Sequence, residues 1–113
     1  MNTSVPGFMV LYRWRLHAGA EHAFVAAWSH VSAALLAERE SLGSRLHRGS
    51  DGIWYSYAQW PSAQAREQAF ALGSVDAEAS RAMRDAIAES FPEIVLECVA
   101  DFLRFDSPSH GGP

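Results

Sequence analysis

Lysine is absent from this sequence, and asparagine and cysteine occur once each. The nine basic side chains are therefore all arginine, and against 13 Asp and Glu residues they leave a formal net charge of -4. Binding to a nucleic-acid backbone depends on clustered positive charge, which this balance does not supply. We therefore expect no nucleic acid among the partners.

The scarcity of cysteine and of long apolar runs excludes two further classes of protein. Cys98 stands alone, so there is neither an internal disulfide nor a zinc cluster of cysteines, and its apolar context predicts a small buried side chain. No stretch approaches the ~20 apolar residues that a membrane-spanning helix needs. The start, MNTSVPG, lacks the basic residues and apolar run of a signal peptide. We expect a cytoplasmic protein with no membrane partner.

Short motifs for metal, phosphate and nucleophile chemistry are missing as well. His22 and His30 lie eight residues apart, too far for the i, i+4 pair that binds a metal on a helix, and no HExxH occurs. Neither a glycine-rich phosphate loop nor a GxSxG elbow is present. The sequence therefore predicts no metal site and no cofactor.

What is present is the composition of one folded domain. The chain has 113 residues, of which 49% are apolar and 19% charged, as in globular proteins that bury a single core. We predict a domain at 8–105, a flexible N-terminus at 1–7 and a flexible tail at 106–113. The tail, DSPSHGGP, has no apolar side chain to hold it.

Hydrophobic periodicity predicts six elements. In order they are a strand at 8–17, a helix at 20–40, hairpin strands at 44–48 and 53–60, a helical region from an N-cap at Ser62 to about 90 that is broken at Gly73, and a strand at 93–105. Phe91-Pro92 is taken as the end of the helical region. This order is that of the α+β class and the ferredoxin-like βαββαβ fold, in which helices cover one face of an antiparallel sheet.

The other face of that sheet is predicted to need a cover. The last strand and the hairpin carry large side chains on both faces, and an open apolar face is costly in water. Pairing of two sheets in a homodimer would supply the cover and would close a dimeric α/β barrel with a cavity in each subunit.

Three stretches of the sequence resemble the antibiotic biosynthesis monooxygenase domain family of the dimeric α/β barrel superfamily. They are LYRWRLHAGAEHAFVAAW, LGSRLHRGSDG and YAQWP, and the resemblance covers about residues 8–105. It implies a homodimer with a cavity between sheet and helices. Some members oxygenate polycyclic aromatic or quinol substrates without metal or flavin, some degrade haem, and many have no known activity.

Two departures from the family's pattern bear on the chemistry. The resemblance implies a pocket asparagine, but the only asparagine is Asn2, so this group has no counterpart unless Gln59 takes its place. Haem-degrading members carry their iron ligand in the second helical region, and no histidine lies between Pro61 and Pro108. Haem degradation is therefore disfavoured.

A basic group is predicted on the uncovered sheet face. Arg13, Arg15 and His17 share one face of the first strand, and Arg45 and His47 share one face of the second, because alternate residues point the same way. Together they would bind an acidic or phenolate ligand. The alternative is that Glu97 and Asp101 of the last strand pair with Arg13 and Arg15.

Alternate residues of the stretch IWYSYAQW point to opposite faces of the sheet, which gives a core set and a cavity set. Two tryptophans separated by small residues suit the face under the helices, and the hydroxyl and amide groups then line the cavity. The core set is Trp54, Ser56, Ala58 and Trp60, and the cavity set is Tyr55, Tyr57 and Gln59. Trp60, at the strand end before Pro61, can turn towards the cavity mouth. The resemblance implies a pocket tryptophan at such a position.

The function predicted from these residues is cofactor-independent oxygenation of a phenolic or quinol-type small molecule, because a base beside an arginine favours the substrate anion that reacts with oxygen. The predicted catalytic residues are Arg13, His47, Tyr57 and Trp60, and the predicted substrate-binding residues are Arg15, His17, Arg45, Tyr55 and Gln59. One alternative is a non-catalytic module for small-molecule binding or dimeric assembly. Another is an isomerase or cyclase that uses the same cavity.

Overall fold

A computed structural model describes residues 7–104 of the chain. The elements are β1 (Phe8–Leu16), α1 (Glu21–Glu38), β2 (Gly43–Arg48), β3 (Trp54–Trp60), α2 (Ala63–Ala71), α3 (Ala77–Ala86) and β4 (Ile87–Leu96). The predicted flexible ends, 1–7 and 106–113, lie outside the described residues except for Gly7. None of the helices in 7–104 is long and apolar enough to cross a membrane.

The four strands form one antiparallel sheet in the order β2-β3-β1-β4. β1 lies in the interior of the sheet, between β3 and β4, while β2 and β4 form its edges. With its helices this is the ferredoxin-like α+β arrangement, and that prediction is confirmed.

The core lies between the sheet and α1. Phe24 is completely buried, and its ring meets those of Trp14 and Trp54 edge to face, with centroids 5.2 Å and 6.0 Å away. Along β3, buried and half-buried residues alternate, and the buried set is Trp54, Ser56, Ala58 and Trp60. The core set predicted by parity is therefore confirmed.

Local hydrogen bonds set the starts of α2 and α3. Ser62 Oγ accepts from the backbone N–H of Ala65 at 3.0 Å, which confirms the predicted N-cap, and Asp76 Oδ1 accepts from that of Ala79 at the same distance. Gly73 has a φ of +88°, a conformation suited to glycine, and it separates the two helices where the sequence predicts a break.

The last strand begins earlier than predicted. α3 ends at Ala86 and β4 follows directly from Ile87, so the helix does not continue to 90 and the strand does not run over 93–105. Pro92 lies inside β4, where an edge strand tolerates the missing N–H. The residues from 97 to 104 form no regular element, and Cys98 is half-buried there rather than packed in a strand.

A β-bulge accompanies the proline. Leu11 is opposite Ile94 and Arg13 is opposite Phe91, so Tyr12 alone faces two residues of β4, Pro92 and Glu93. Bulges redirect side chains at the point where they occur. This bulge places Glu93 on the helix side of the sheet, where it lines a cavity with Tyr12.

Replacing Phe24 by alanine is expected to destabilise the fold by about 3–5 kcal/mol, because a fully enclosed ring leaves a void that its neighbours cannot fill. Denaturant unfolding followed by tryptophan fluorescence measures the change. Leu36→Ala is the matched control, since Leu36 is 56% exposed on the same helix, and it should shift the unfolding free energy by no more than about 0.5 kcal/mol. Equal effects of the two changes would contradict this assignment of the core.

Candidate functional site

A cavity of about 350 Å³ lies between the sheet and the helices. Its lining is aromatic and aliphatic for the most part, with a few polar groups. The aromatic residues that line it are Tyr12, Trp14, Trp28, Trp60 and Phe70. Its size is that of sites for small organic ligands, which span roughly 300–1,000 Å³.

Small residues on the sheet leave this space open beneath α1. Ser56 and Ala58 lie between the tryptophans of β3, and Ser44 is on β2 beside Ala58. Trp28 of α1 connects the helix to the sheet, because its indole N–H donates to Ser56 Oγ of β3 at 3.1 Å. The tryptophan is therefore held in one orientation as a wall of the cavity.

One polar cluster faces this apolar space, and it joins three elements. Arg66 of α2 donates to the hydroxyl oxygen of Tyr12 from Nε at 3.2 Å and from Nη2 at 2.9 Å. The same Nη2 donates to Glu93 Oε1 of β4 at 2.7 Å. We call Tyr12, Arg66 and Glu93 the polar triad.

Burial and charge act against each other on the triad. Burial raises the pKa of Tyr12, and this effect outweighs the opposing influence of the Arg66 charge. Burial alone would lower the pKa of Arg66, but its hydrogen bonds to Glu93 and Tyr12 outweigh that and raise it. At neutral pH the cavity therefore contains a neutral phenol beside an arginine cation that also donates to Glu93.

Trp60 forms the wall beside α2. Its ring is almost completely buried and meets Phe70 edge to face, with centroids 5.7 Å apart. Its indole N–H has no hydrogen-bond partner among the residues that the structure describes. Trp60 is the one predicted site residue that lines the cavity.

The other predicted site residues lie elsewhere. The strand register places seven of them on the open face of the sheet, opposite the helices, and His17 follows the end of β1. Tyr55 is brought directly opposite both Arg13 and His47, and Tyr57 is opposite Arg45. The seven are Arg13, Arg15, Arg45, His47, Tyr55, Tyr57 and Gln59. The basic and tyrosine groups are thus assembled as predicted, but on the face away from the cavity.

The ion pairs expected on this face are different in the structure. Arg15 pairs with Glu89 at 3.3 Å, and Arg13 donates to the backbone carbonyl of Pro92 at 3.0 Å, so the prediction that Glu97 and Asp101 neutralise the two arginines is wrong. The earlier start of β4 is the reason, because it brings Phe91 and Glu89 opposite Arg13 and Arg15. Both guanidinium groups also lie over the Phe91 ring.

The polar triad was not identified from the sequence. In the sequence, Tyr12 belongs to an alternating apolar set, Arg66 lies in a helical region rich in polar residues, and Glu93 begins the strand predicted at 93–105. No local pattern connects positions 12, 66 and 93.

Within residues 7–104, no three His, Cys, Asp or Glu side chains converge in a way that could hold a metal ion.

Alkaline titration is expected to report the buried hydroxyl. The pKa of each tyrosine in the chain is raised, that of Tyr12 by burial, that of Tyr57 mainly by burial and that of Tyr55 mainly by its hydrogen bond to Asp51. Unfolded tyrosines ionise near pH ~10. Above that pH the unfolded chain loses protons that the folded chain keeps, so stability should fall as pH rises.

The measurement is tyrosinate absorbance against pH in the native and the denaturant-unfolded protein. We expect the native curve to lie at higher pH, and Tyr12→Phe to remove one tyrosine's share of this alkaline absorbance change. A native curve identical to the unfolded one would contradict the enclosure of Tyr12.

Comparison with known proteins supports the fold. No protein-family model and no curated protein matches the chain. SnoaB, a cofactor-independent oxygenase from Streptomyces nogalater, superposes with a TM-score of 0.72 at 15% identity, over 88% of this chain and 99% of SnoaB.

Two further structures match to a similar extent. A protein from Caulobacter crescentus that is assigned provisionally to the antibiotic biosynthesis monooxygenases gives a TM-score of 0.70 at 17% identity, over 85% of this chain and 93% of its own. PA3566 from Pseudomonas aeruginosa gives 0.66 at 19% identity, over 88% and 100%. At such identities the likeness concerns architecture, and this chain has the fold of the antibiotic biosynthesis monooxygenase structures, as the sequence resemblance predicts.

Proposed function

We propose that this protein binds a flat, largely apolar small molecule in the cavity between sheet and helices, and that it oxygenates a phenolic or quinol-type substrate there without a cofactor. The observation that carries the proposal is the aromatic-lined cavity of about 350 Å³ with a single arginine among its lining residues. SnoaB, which shares the fold, is a cofactor-independent oxygenase.

The chemistry needs only the substrate and molecular oxygen. A phenolate is electron-rich and passes an electron to O2, after which carbon–oxygen bond formation and loss of water give a quinone. Overall, one phenol and one O2 become one quinone and one water, so O2 is the oxidant. The protein's part is to favour the anion, and a cation such as Arg66 in surroundings poor in water does so.

Filling the cavity is the direct test. Ser32 on α1 lines it, so Ser32→Phe should weaken the binding of 1-naphthol, followed by tryptophan fluorescence, by about tenfold or more, because the new ring occupies the same space. Ser29→Phe is the matched control, since Ser29 is exposed on the same helix. It should leave binding unchanged. Unimpaired binding in Ser32→Phe would contradict the proposed site.

Oxygen uptake distinguishes the proposed reaction from its alternatives. With 1-naphthol, which is a phenol, and with quinols, wild type should consume oxygen and Ser32→Phe should not. Binding without oxygen uptake would favour a non-catalytic binding module. Conversion of a ligand without oxygen uptake would favour an isomerase or cyclase.

The predicted site residues on the open face of the sheet define an alternative location for the catalytic site. Arg13, His47 and Tyr57 would need a covering subunit to exclude water from that face. Loss of oxygen uptake in Arg13→Ala and His47→Ala, together with normal uptake in Ser32→Phe, would place the chemistry there instead.

We also propose that two copies of the chain associate through the open face and the segment that follows β4. Val99, Phe102 and Leu103 in that segment are 90%, 96% and 83% exposed. Neighbouring large apolar side chains are seldom exposed to solvent to this extent. Cys98 and Asp101 contribute to the electrostatic surroundings of Tyr57, so the segment passes near the open face. A second copy would cover both surfaces at once.

Analytical ultracentrifugation tests this association. Wild type should sediment as a dimer, and the double change Phe102→Asp and Leu103→Asp should yield a monomer, because two charges would have to be buried in the interface. Leu72→Asp is the control, since Leu72 is also a largely exposed leucine, 72% exposed at the end of α2. A dimer that survives the double change would refute the proposed interface.

A further inference from the structure

We propose that the Tyr12 hydroxyl is the hydrogen-bond donor that binds an accepting oxygen of the cavity's ligand, and that Arg66 is the positioning residue that aims it. The ligand class is thereby narrowed to flat molecules that carry a carbonyl or a phenolate oxygen. This inference rests on the proposed function, because it assumes that the cavity is the binding site.

The direction of the hydroxyl follows from the hydrogen bonds that it accepts. Two N–H groups of Arg66, Nε and Nη2, converge on the Tyr12 oxygen. The acceptor side of the oxygen is therefore occupied, and the phenolic hydrogen must point away from the guanidinium. The hydrogen bonds within residues 7–104 include no acceptor for this hydrogen.

An unused donor in these surroundings calls for a partner. The walls of the cavity are largely apolar, and a polar hydrogen without an acceptor is unfavourable there. The Trp28 indole already donates to Ser56 Oγ, whereas the Trp60 indole shares with Tyr12 the lack of an acceptor within residues 7–104. An oxygen atom on the ligand is the partner that suits the Tyr12 hydroxyl.

Arg66 is itself held by contacts with Glu93 and Phe70. Glu93 accepts from its Nη2, the Phe70 ring lies 5.1 Å from its guanidinium carbon, and the Arg66 side chain is only 17% exposed. Because the β-bulge at Pro92 directs Glu93 towards the cavity, the orientation of Tyr12 depends on β4 as well as on α2.

The Tyr12 hydroxyl is in the protonated state that it needs to donate a hydrogen bond. Burial keeps the pKa of Tyr12 above its ordinary value, so the hydroxyl retains its proton at neutral pH. The Arg66 cation behind the oxygen polarises the O–H bond and makes it a stronger donor. Such a donor binds a phenolate more strongly than a phenol, which favours the anion that the proposed oxygenation requires.

Two probes, of which only one carries a carbonyl oxygen, test the inference on the whole 113-residue chain. 1-Tetralone has a carbonyl, and tetralin is the same bicyclic molecule without it. Tryptophan fluorescence gives both dissociation constants. We expect Tyr12→Phe to weaken the binding of 1-tetralone about fivefold, which is the usual contribution of one net hydrogen bond. The affinity for tetralin should stay within about twofold of the wild-type value. The unchanged tetralin affinity shows that the variant is folded.

Infrared spectroscopy supplies a readout that a purely structural role would not move. The carbonyl stretch of bound 1-tetralone should lie at lower frequency in wild type than in Tyr12→Phe. Arg66→Met should reduce the shift, because the hydroxyl is no longer aimed, and Arg66→Lys should restore part of it, since an ammonium group also donates to the Tyr12 oxygen.

The outcomes separate the inference from the proposed function. If Tyr12→Phe weakens the binding of both probes equally, or of neither, the proposed role of Tyr12 is overturned while the cavity remains a binding site. If neither probe competes with 1-naphthol in wild type, the proposed site fails and the inference fails with it.

Discussion

The contact of Phe24 with Trp14 and Trp54 is the interaction on which the rest of this structure depends. It fixes the height of α1 over the sheet at one end of the helix layer. Trp28 is one turn further along the same helix and packs against this core, yet it also forms a wall of the cavity. Core and cavity therefore share their walls, and the shape of the binding site is a consequence of how the core packs.

Residue types with a local pattern made most of the fold predictable. Alternation in β3 identified its buried face correctly, and Ser62 marked the start of α2. Pro92 misled the prediction, since a proline after a helical stretch ordinarily ends the helix, whereas here it occupies a bulge in an edge strand. The difference depends on tertiary position, which a single sequence does not reveal.

The candidate site was less predictable than the fold, for a physical reason. Charged residues on a strand face, such as Arg13 and Arg15, are conspicuous because they repeat every second position. The polar triad consists of isolated residues from three elements, and each has an ordinary neighbourhood in the sequence. Only the sheet register and the packing of α2 bring Tyr12 and Arg66 together. Trp60 was named from the sequence because its strand-end position resembles that of the family's pocket tryptophan, and it lines the cavity from the buried face of β3.

Pro92 has one more consequence, for how this protein avoids unwanted self-assembly. An outer strand with a continuous row of free donors and acceptors invites a strand of another molecule to pair with it, and this is how sheets polymerise. The proline removes a donor in the middle of β4, and the bulge twists the chain at the same point. This part of the edge is thereby a poor template, so growth of a continuous sheet from molecule to molecule is disfavoured at β4.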